Sequence, residues 1–222
     1  MPTTAITNKK IAAELEAVCN ESAALAKTSI AMALPASVGL AIAGFGLLVL
    51  FGWAFEIGPL KSVFSNFETM KPATAVAFIL SGVLLYLRSD RREGGAPAGL
   101  QTILGLIVLV IGTLTLVQFY LGMNLWIGDA LIAKGWSVDA TRPMSVPSAL
   151  LFVLFGMAML LPKGGRRADV AFVSATMLGT AIALLVFAGY LYSLRILYEP
   201  VAASSIALHT AITAFIFFSA RR

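Results

Sequence analysis

The sequence is poor in charge, in cysteine and in histidine. Only 12% of its 222 residues are Asp, Glu, Lys or Arg, against roughly 25% in an ordinary soluble domain. That is too little charge to coat a water-exposed surface. It excludes a secreted disulfide scaffold, a nucleic-acid binder and a disordered tail. The single cysteine, Cys19, excludes an internal disulfide and a cysteine-based metal cluster. The single histidine, His209, excludes a bis-histidine haem within one chain. There is no Walker loop, no Gly-rich dinucleotide turn and no HExxH, so the chain reads as non-catalytic. No apolar span carries an acidic residue, which argues against a proton-coupled transporter. What is abundant is apolar. These residues make up 59% of the chain, and the mean hydropathy is +0.91. The chain reads as an integral membrane protein.

A hydrocarbon core of about 30 Å needs roughly 20 apolar residues in a helix. Six segments qualify or come close: Ser29–Phe55, Pro72–Leu87, Leu100–Leu121, Val146–Leu161, Val170–Tyr192 and Val201–Ala220. With the N-terminus placed in the cytoplasm, eleven Lys and Arg fall inside and five fall outside. The positive-inside rule therefore predicts that both termini are cytoplasmic. The acidic residues divide six inside and five outside, so the whole net charge of +5 lies on the inner side. Topology accounts for it without a nucleic-acid partner. Residues 1–28 carry Lys9, Lys10, Glu14, Glu16, Glu21 and Lys27 and have no early apolar run, so they do not form a signal peptide. Ile11, Leu15, Val18, Ser22 and Leu25 share one helical face. This predicts a cytoplasmic amphipathic helix, for docking or dimerisation or for lying on the inner leaflet.

The even-numbered spans repeat a pattern. Met70-Lys71-Pro72-Ala73-Thr74-Ala75 leads to Phe78 and Gly82, and Met144-Ser145-Val146-Pro147-Ser148-Ala149 leads to Phe152 and Gly156, in register without a gap. Ile206-Ala207-Leu208-His209-Thr210-Ala211 opens the sixth span in the same style. The expected architecture is three helical hairpins, about 29–92, 98–167 and 168–222. Pro72 and Pro147 suit the first helical turn, where no amide partner is lost, and Ser or Thr there can satisfy a free amide. Gly82 and Gly156 predict close helix approach, as does Gly44-Phe45-Gly46 in the first span. In the fifth span Ala171, Ala175, Gly179 and Ala183 form a small-residue stripe spaced by four. It fits contact with spans 1 or 3, or with a second chain.

The candidate ligand site lies in the outer connections. Between the third and fourth spans a short amphipathic stretch is anchored by Trp126 and Trp136, with Asp129, Asp139 and Arg142 the charges available there. Tyr190, Tyr192 and Tyr198 surround Arg195 and Glu199. With His209, about two turns into the sixth span, these residues suit either a small-molecule pocket or plain interfacial anchoring. Haem or quinone contact at His209 is conceivable, but with no second His or Cys a helix–helix hydrogen bond suits it better. No cofactor is expected.

The stretch Leu114-Thr115-Leu116-Val117-Gln118-Phe119-Tyr120-Leu121, then Asn124-Leu125, Asp129, Arg142-Pro143-Met144-Ser145 and Ala149-Leu150-Leu151-Phe152, resembles a membrane domain of known type. It is the N-terminal multi-helix sensor domain of bacterial sensor histidine kinases and diguanylate cyclases. Gly189-Tyr190-Leu191-Tyr192, Leu197-Tyr198 and Ala207-Leu208-His209-Thr210-Ala211 are similar to that family's closing elements. Pro143 and Val146 shift its usual R-M-S-P, and no phosphoacceptor or GGDEF motif is present. The resemblance implies an all-α six-span bundle that binds an outer or membrane-borne signal and passes a helix shift to a cytoplasmic partner. The competing expectation is an accessory subunit of a larger photosynthetic or respiratory membrane complex.

Overall fold

The computed structural model describes residues 35–61, 70–89, 97–122, 144–162 and 165–191. Among them every regular element is an α-helix. In chain order these are α1 (Pro35–Ala54), α2 (Gly58–Lys61), α3 (Pro72–Ser89), α4 (Ala98–Leu121), α5 (Val146–Leu160) and α6 (Arg166–Leu191). Four of them, α1, α3, α4 and α6, are long and apolar enough to cross a bilayer. This is a multi-pass membrane protein, with apolar helix surface suited to lipid. The expected N-terminal amphipathic helix, the sixth span and most of the outer connections lie outside the described residues.

Several boundaries differ from those expected. Helix α3 runs two residues past Leu87, to Ser89, and α4 starts two before Leu100, at Ala98. Helix α6 starts at Arg166 rather than Val170, taking Arg167 and Asp169 into its first turns. Hydropathy places a span where the apolar residues are, whereas backbone hydrogen bonding lets a helix run on into the flanking charges. Helix α5 has 15 residues, about 22 Å at 1.5 Å per residue. That is short of a full crossing. The one-turn helix α2 had no counterpart in the sequence reading.

The helix starts follow from local chemistry. Pro72 is the first residue of α3, where its missing N–H costs nothing. At α5 the N-cap is Ser145, whose hydroxyl accepts from the Ser148 amide at 3.4 Å, with Pro147 in the first turn. The Ser145 and Ser148 hydroxyls lie 2.8 Å apart, so each buried hydroxyl has a partner. At the far end of α1, the Trp53 indole donates to the Met70 carbonyl at 2.9 Å. That bond ties the end of one helix to the start of the next.

Helices α1 and α3 are antiparallel, and glycines set how closely they meet. A β-carbon on Gly39 would lie 2.6 Å from the Gly82 carbonyl oxygen, and one on Gly46 would lie 2.7 Å from that of Ala75. A β-carbon on Gly82 would run into the Gly39 carbonyl and sit 2.7 Å from the Ala43 amide. Helices α4 and α5 pack the same way. A β-carbon on Gly112 would lie 2.9 Å from the Ala149 carbonyl oxygen, and one on Gly156 would lie 2.9 Å from the Leu109 backbone. Gly46 and Gly112 are 66 positions apart, as are Ala43 and Leu109. Their partners Ala75 and Ala149 are 74 apart, as are Gly82 and Gly156. The two described hairpins therefore share one contact register. Close backbone approach is what small residues provide in lipid, where apolar side chains gain nothing from leaving water.

The core lies between the hairpins. Phe78 and Phe152, equivalent positions of α3 and α5, meet edge to face with centroids 4.9 Å apart. Ala75, Leu84, Leu85, Ala149, Phe155 and Val108 pack around them, fully buried. Helices α3 and α5 run parallel at the centre. Helices α1, α4 and α6 lie outside, with Leu40, Leu47, Ile103, Val110, Val173 and Met177 exposed along them.

Candidate functional site

The seam between α3 and α5 connects two chemically different ends. At the end where both helices begin, Thr74, Ser145 and Ser148 are buried beside Met70 and Met144. Prolines start the helices, and Ser145 together with the Trp53 indole uses up free backbone groups. Chemically this end is a set of satisfied caps.

At the opposite end the seam is closed by Arg88, in the last turn of α3. Its guanidinium donates through Nη1 to the Met159 carbonyl of α5, and Nη1 also lies 4.0 Å from the Met159 sulfur. Met159 is one residue from the end of α5, where carbonyls lack intrahelical partners and a cation is favoured. The Arg88 Nε is buried with no hydrogen-bond partner. About two turns back along nearly the same face, Ser81 is 1% exposed and its hydroxyl is likewise unpartnered. Thr74, Ser81 and Arg88 follow at seven-residue steps, so α3 carries a polar line from end to end. At the equivalent places α5 has Ser148 and Phe155, and Pro162 follows its end.

Of the residues expected to form a ligand site, His209, Tyr198, Arg195, Asp129 and Arg142 lie outside the described residues. Tyr190 falls on the last turn of α6. Among the packing residues, Gly82 and Gly156 sit at the close approaches given above. The α6 stripe divides along its length: Ala171 is exposed, Ala175 half-buried, and Gly179 and Ala183 buried. The main described neighbour of α6 is α5, a helix that neither reading of the stripe named. A link of only five residues, 161–165, joins the two, and short links make antiparallel neighbours. Within Gly44-Phe45-Gly46, only Gly46 is at a tight contact; a β-carbon on Gly44 would meet nothing within 4 Å. No group of three or more His, Cys, Asp or Glu that could hold a metal ion occurs among the described residues.

Sequence reasoning missed three features. The Trp53–Met70 bond had a signal, an indole N–H at a span end, which requires an acceptor when buried. Arg88 was counted for topology only, although a long cation in a last turn can also reach a neighbouring helix end. The unpartnered Ser81 had no signal, because a mid-span serine usually bonds back to its own helix. No protein-family model, no curated protein and no solved structure matches the chain.

Proposed function

We propose that the chain is a six-span, three-hairpin sensory or regulatory module of a bacterial inner membrane. On this reading it is non-catalytic and both termini are cytoplasmic. It binds an outer-side or membrane-borne signal and passes a helix shift to a cytoplasmic partner. The observation that carries this reading is the parallel pair α3 and α5, locked face to face at Phe78 and Phe152 and joined at one end by Arg88 and Met159. A displacement at one end of such a pair is delivered at the other, since packed interfaces shift between discrete arrangements rather than deform smoothly. The motif order over residues 112–160 and 186–216 supports the same reading. The third hairpin and the roles of His209, Tyr198 and Arg195 belong to this proposal.

A second reading is an accessory subunit of a larger membrane complex. The observation favouring it is the exposed half of the α6 stripe, where Ala171 and Ala175 leave room for another helix. Native mass spectrometry in mild detergent, on protein extracted from its own membrane, separates the two readings. The module predicts a monomer or homodimer without pigment absorption. A stoichiometric complex with haem or pigment bands sinks that reading in favour of the subunit. For the sensory role itself, unchanged downstream output after substitution of Tyr198, Arg195 and His209 together counts against an outer ligand site there.

A further inference from the structure

The two described hairpins supply an internal control for each other. Helix α1 ends with Ile57 donating its amide to the Gly52 carbonyl at 2.8 Å, around Glu56 at φ +56°. This is a left-handed helix stop, a geometry in which glycine is the usual residue. Helix α4 ends at Gly122 with φ +62°. Glu56 and Gly122 are 66 positions apart, the same separation that relates Gly46 to Gly112 and Ala43 to Leu109. The same left-handed backbone conformation therefore follows both helices at equivalent positions, once with glycine and once with glutamate. Glutamate is disfavoured there because its β-carbon crowds the backbone. Glu56 is the only non-glycine residue with positive φ among the described residues. Strain retained at a single position points to a use for the side chain.

The surroundings define the chemistry. Glu56 is exposed, two residues beyond the end of α1, and so at the lipid–water boundary. It makes no ion pair with a described side chain. Phe51 and Phe55, which precede it in the chain by five residues and by one, are both more than half exposed and meet as a tilted ring pair with centroids 4.2 Å apart, and Ile57, which follows it, is also exposed. A carboxylate that follows exposed aromatic rings in the chain is complementary to an organic cation on an apolar body. The carboxylate pairs with the charge, and the ring faces attract it as well. We propose that Glu56, with Phe51 and Phe55, is a binding site for an ammonium or guanidinium group carried by an amphipathic molecule at the membrane surface. The inference holds whichever way the chain is oriented and does not depend on the sensory reading.

The test uses the full chain in nanodiscs of net-neutral choline lipids. The probe is 12-bromododecylammonium, read by tryptophan quenching, with 12-bromododecanol as the uncharged control. Wild type is expected to be quenched at about 3- to 10-fold lower concentration of the amine than of the alcohol, the range that a boundary ion pair with ring contact supplies. Glu56→Gln and Glu56→Gly are expected to abolish that preference. Glu56→Gly should at the same time leave Tm unchanged or raise it by about 2–4 °C, because the turn loses its strain. A preference that survives in Glu56→Gln overturns the site. A fall in Tm in Glu56→Gly overturns the argument from strain, since the side chain would then be structural. Repeating the titration with phosphatidylethanolamine in the disc identifies the source of the cation. Competition assigns the site to a lipid headgroup, and its absence assigns it to a free amphipathic cation.

Discussion

The inner helices α3 and α5 and the outer helices α1, α4 and α6 solve different problems. Of the four long helices, α3 is the least apolar and the most buried, with 56% of its span inside the protein. Helix α4 is the most apolar and only 28% buried. In a water-soluble protein the order would run the other way. Here lipid is as apolar as leucine, so apolar side chains go outward at no cost, while small and hydroxylated ones go inward. The inner helices hold Thr74, Ser81, Ser148, Gly82 and Gly156. The exposed positions of the outer helices hold leucine, isoleucine and valine, among them Leu40, Ile103 and Val173. On α3 burial thus takes in small and polar residues as well as Phe78, Leu84 and Leu85.

The largest expected effects test this division directly. Gly82→Leu and Gly156→Leu force side chains into backbone that lies under 3.0 Å from an added β-carbon. Overpacking of that kind costs about 3 kcal/mol or more, and it should appear as loss of the folded monodisperse fraction in detergent. Gly44→Leu, on the open side of α1, should be silent in the same assay. If all three behave alike, close approach is not what holds the hairpins together.

Next in size is the seam. Phe78→Ala and Phe152→Ala should each cost about 3 kcal/mol in a reversible unfolding titration, the low end for buried phenylalanine because lipid removes the transfer contribution. A double-mutant cycle should return a coupling of about 0.5–1.5 kcal/mol. Phe51→Ala on the exposed pair should shift stability by less than about 0.5 kcal/mol. An uncoupled cycle would mean that the two hairpins meet elsewhere.

Arg88→Met removes a charged donor from the Met159 carbonyl, with an expected loss of about 1.5–3 kcal/mol. Arg167→Met, at an exposed site on α6, should cost under about 0.5 kcal/mol. Equal losses would show that the arginines act only through their charge. The smallest effects separate two inner serines. Ser145→Ala should cost about 1 kcal/mol through its lost cap. Ser81→Ala removes an unpartnered buried hydroxyl and should be neutral or slightly stabilising in the same titration.

Much of the fold could be read from local chemistry. Pro72, and Ser145 with Pro147, mark where α3 and α5 begin, because a proline ring and a serine hydroxyl act within one turn. Runs of apolar residues located the four long helices to within a few positions. The ends were harder, since Arg166, Arg167 and Ser89 continue helices that hydropathy stops. The candidate site was legible only in its parts. Arg88 looked like a topological charge until α5 was seen to end within its reach. Glu56 looked like one outer acid among five until its φ was known and its counterpart at Gly122 was in place.

The sequence by itself determined that this chain lives in lipid, because 12% charge cannot coat a surface in water. It also determined where α3 and α5 start, because capping is settled within a few residues. Only the tertiary structure decided which helices stand at the centre, that Gly39 faces Gly82 while Gly44 faces open space, and that Phe78 meets Phe152. The reason is physical. In a bilayer both sides of a helix are apolar, so hydrophobic pattern does not distinguish protein from lipid. That distinction comes from the fit of backbones across an interface, which no single segment contains.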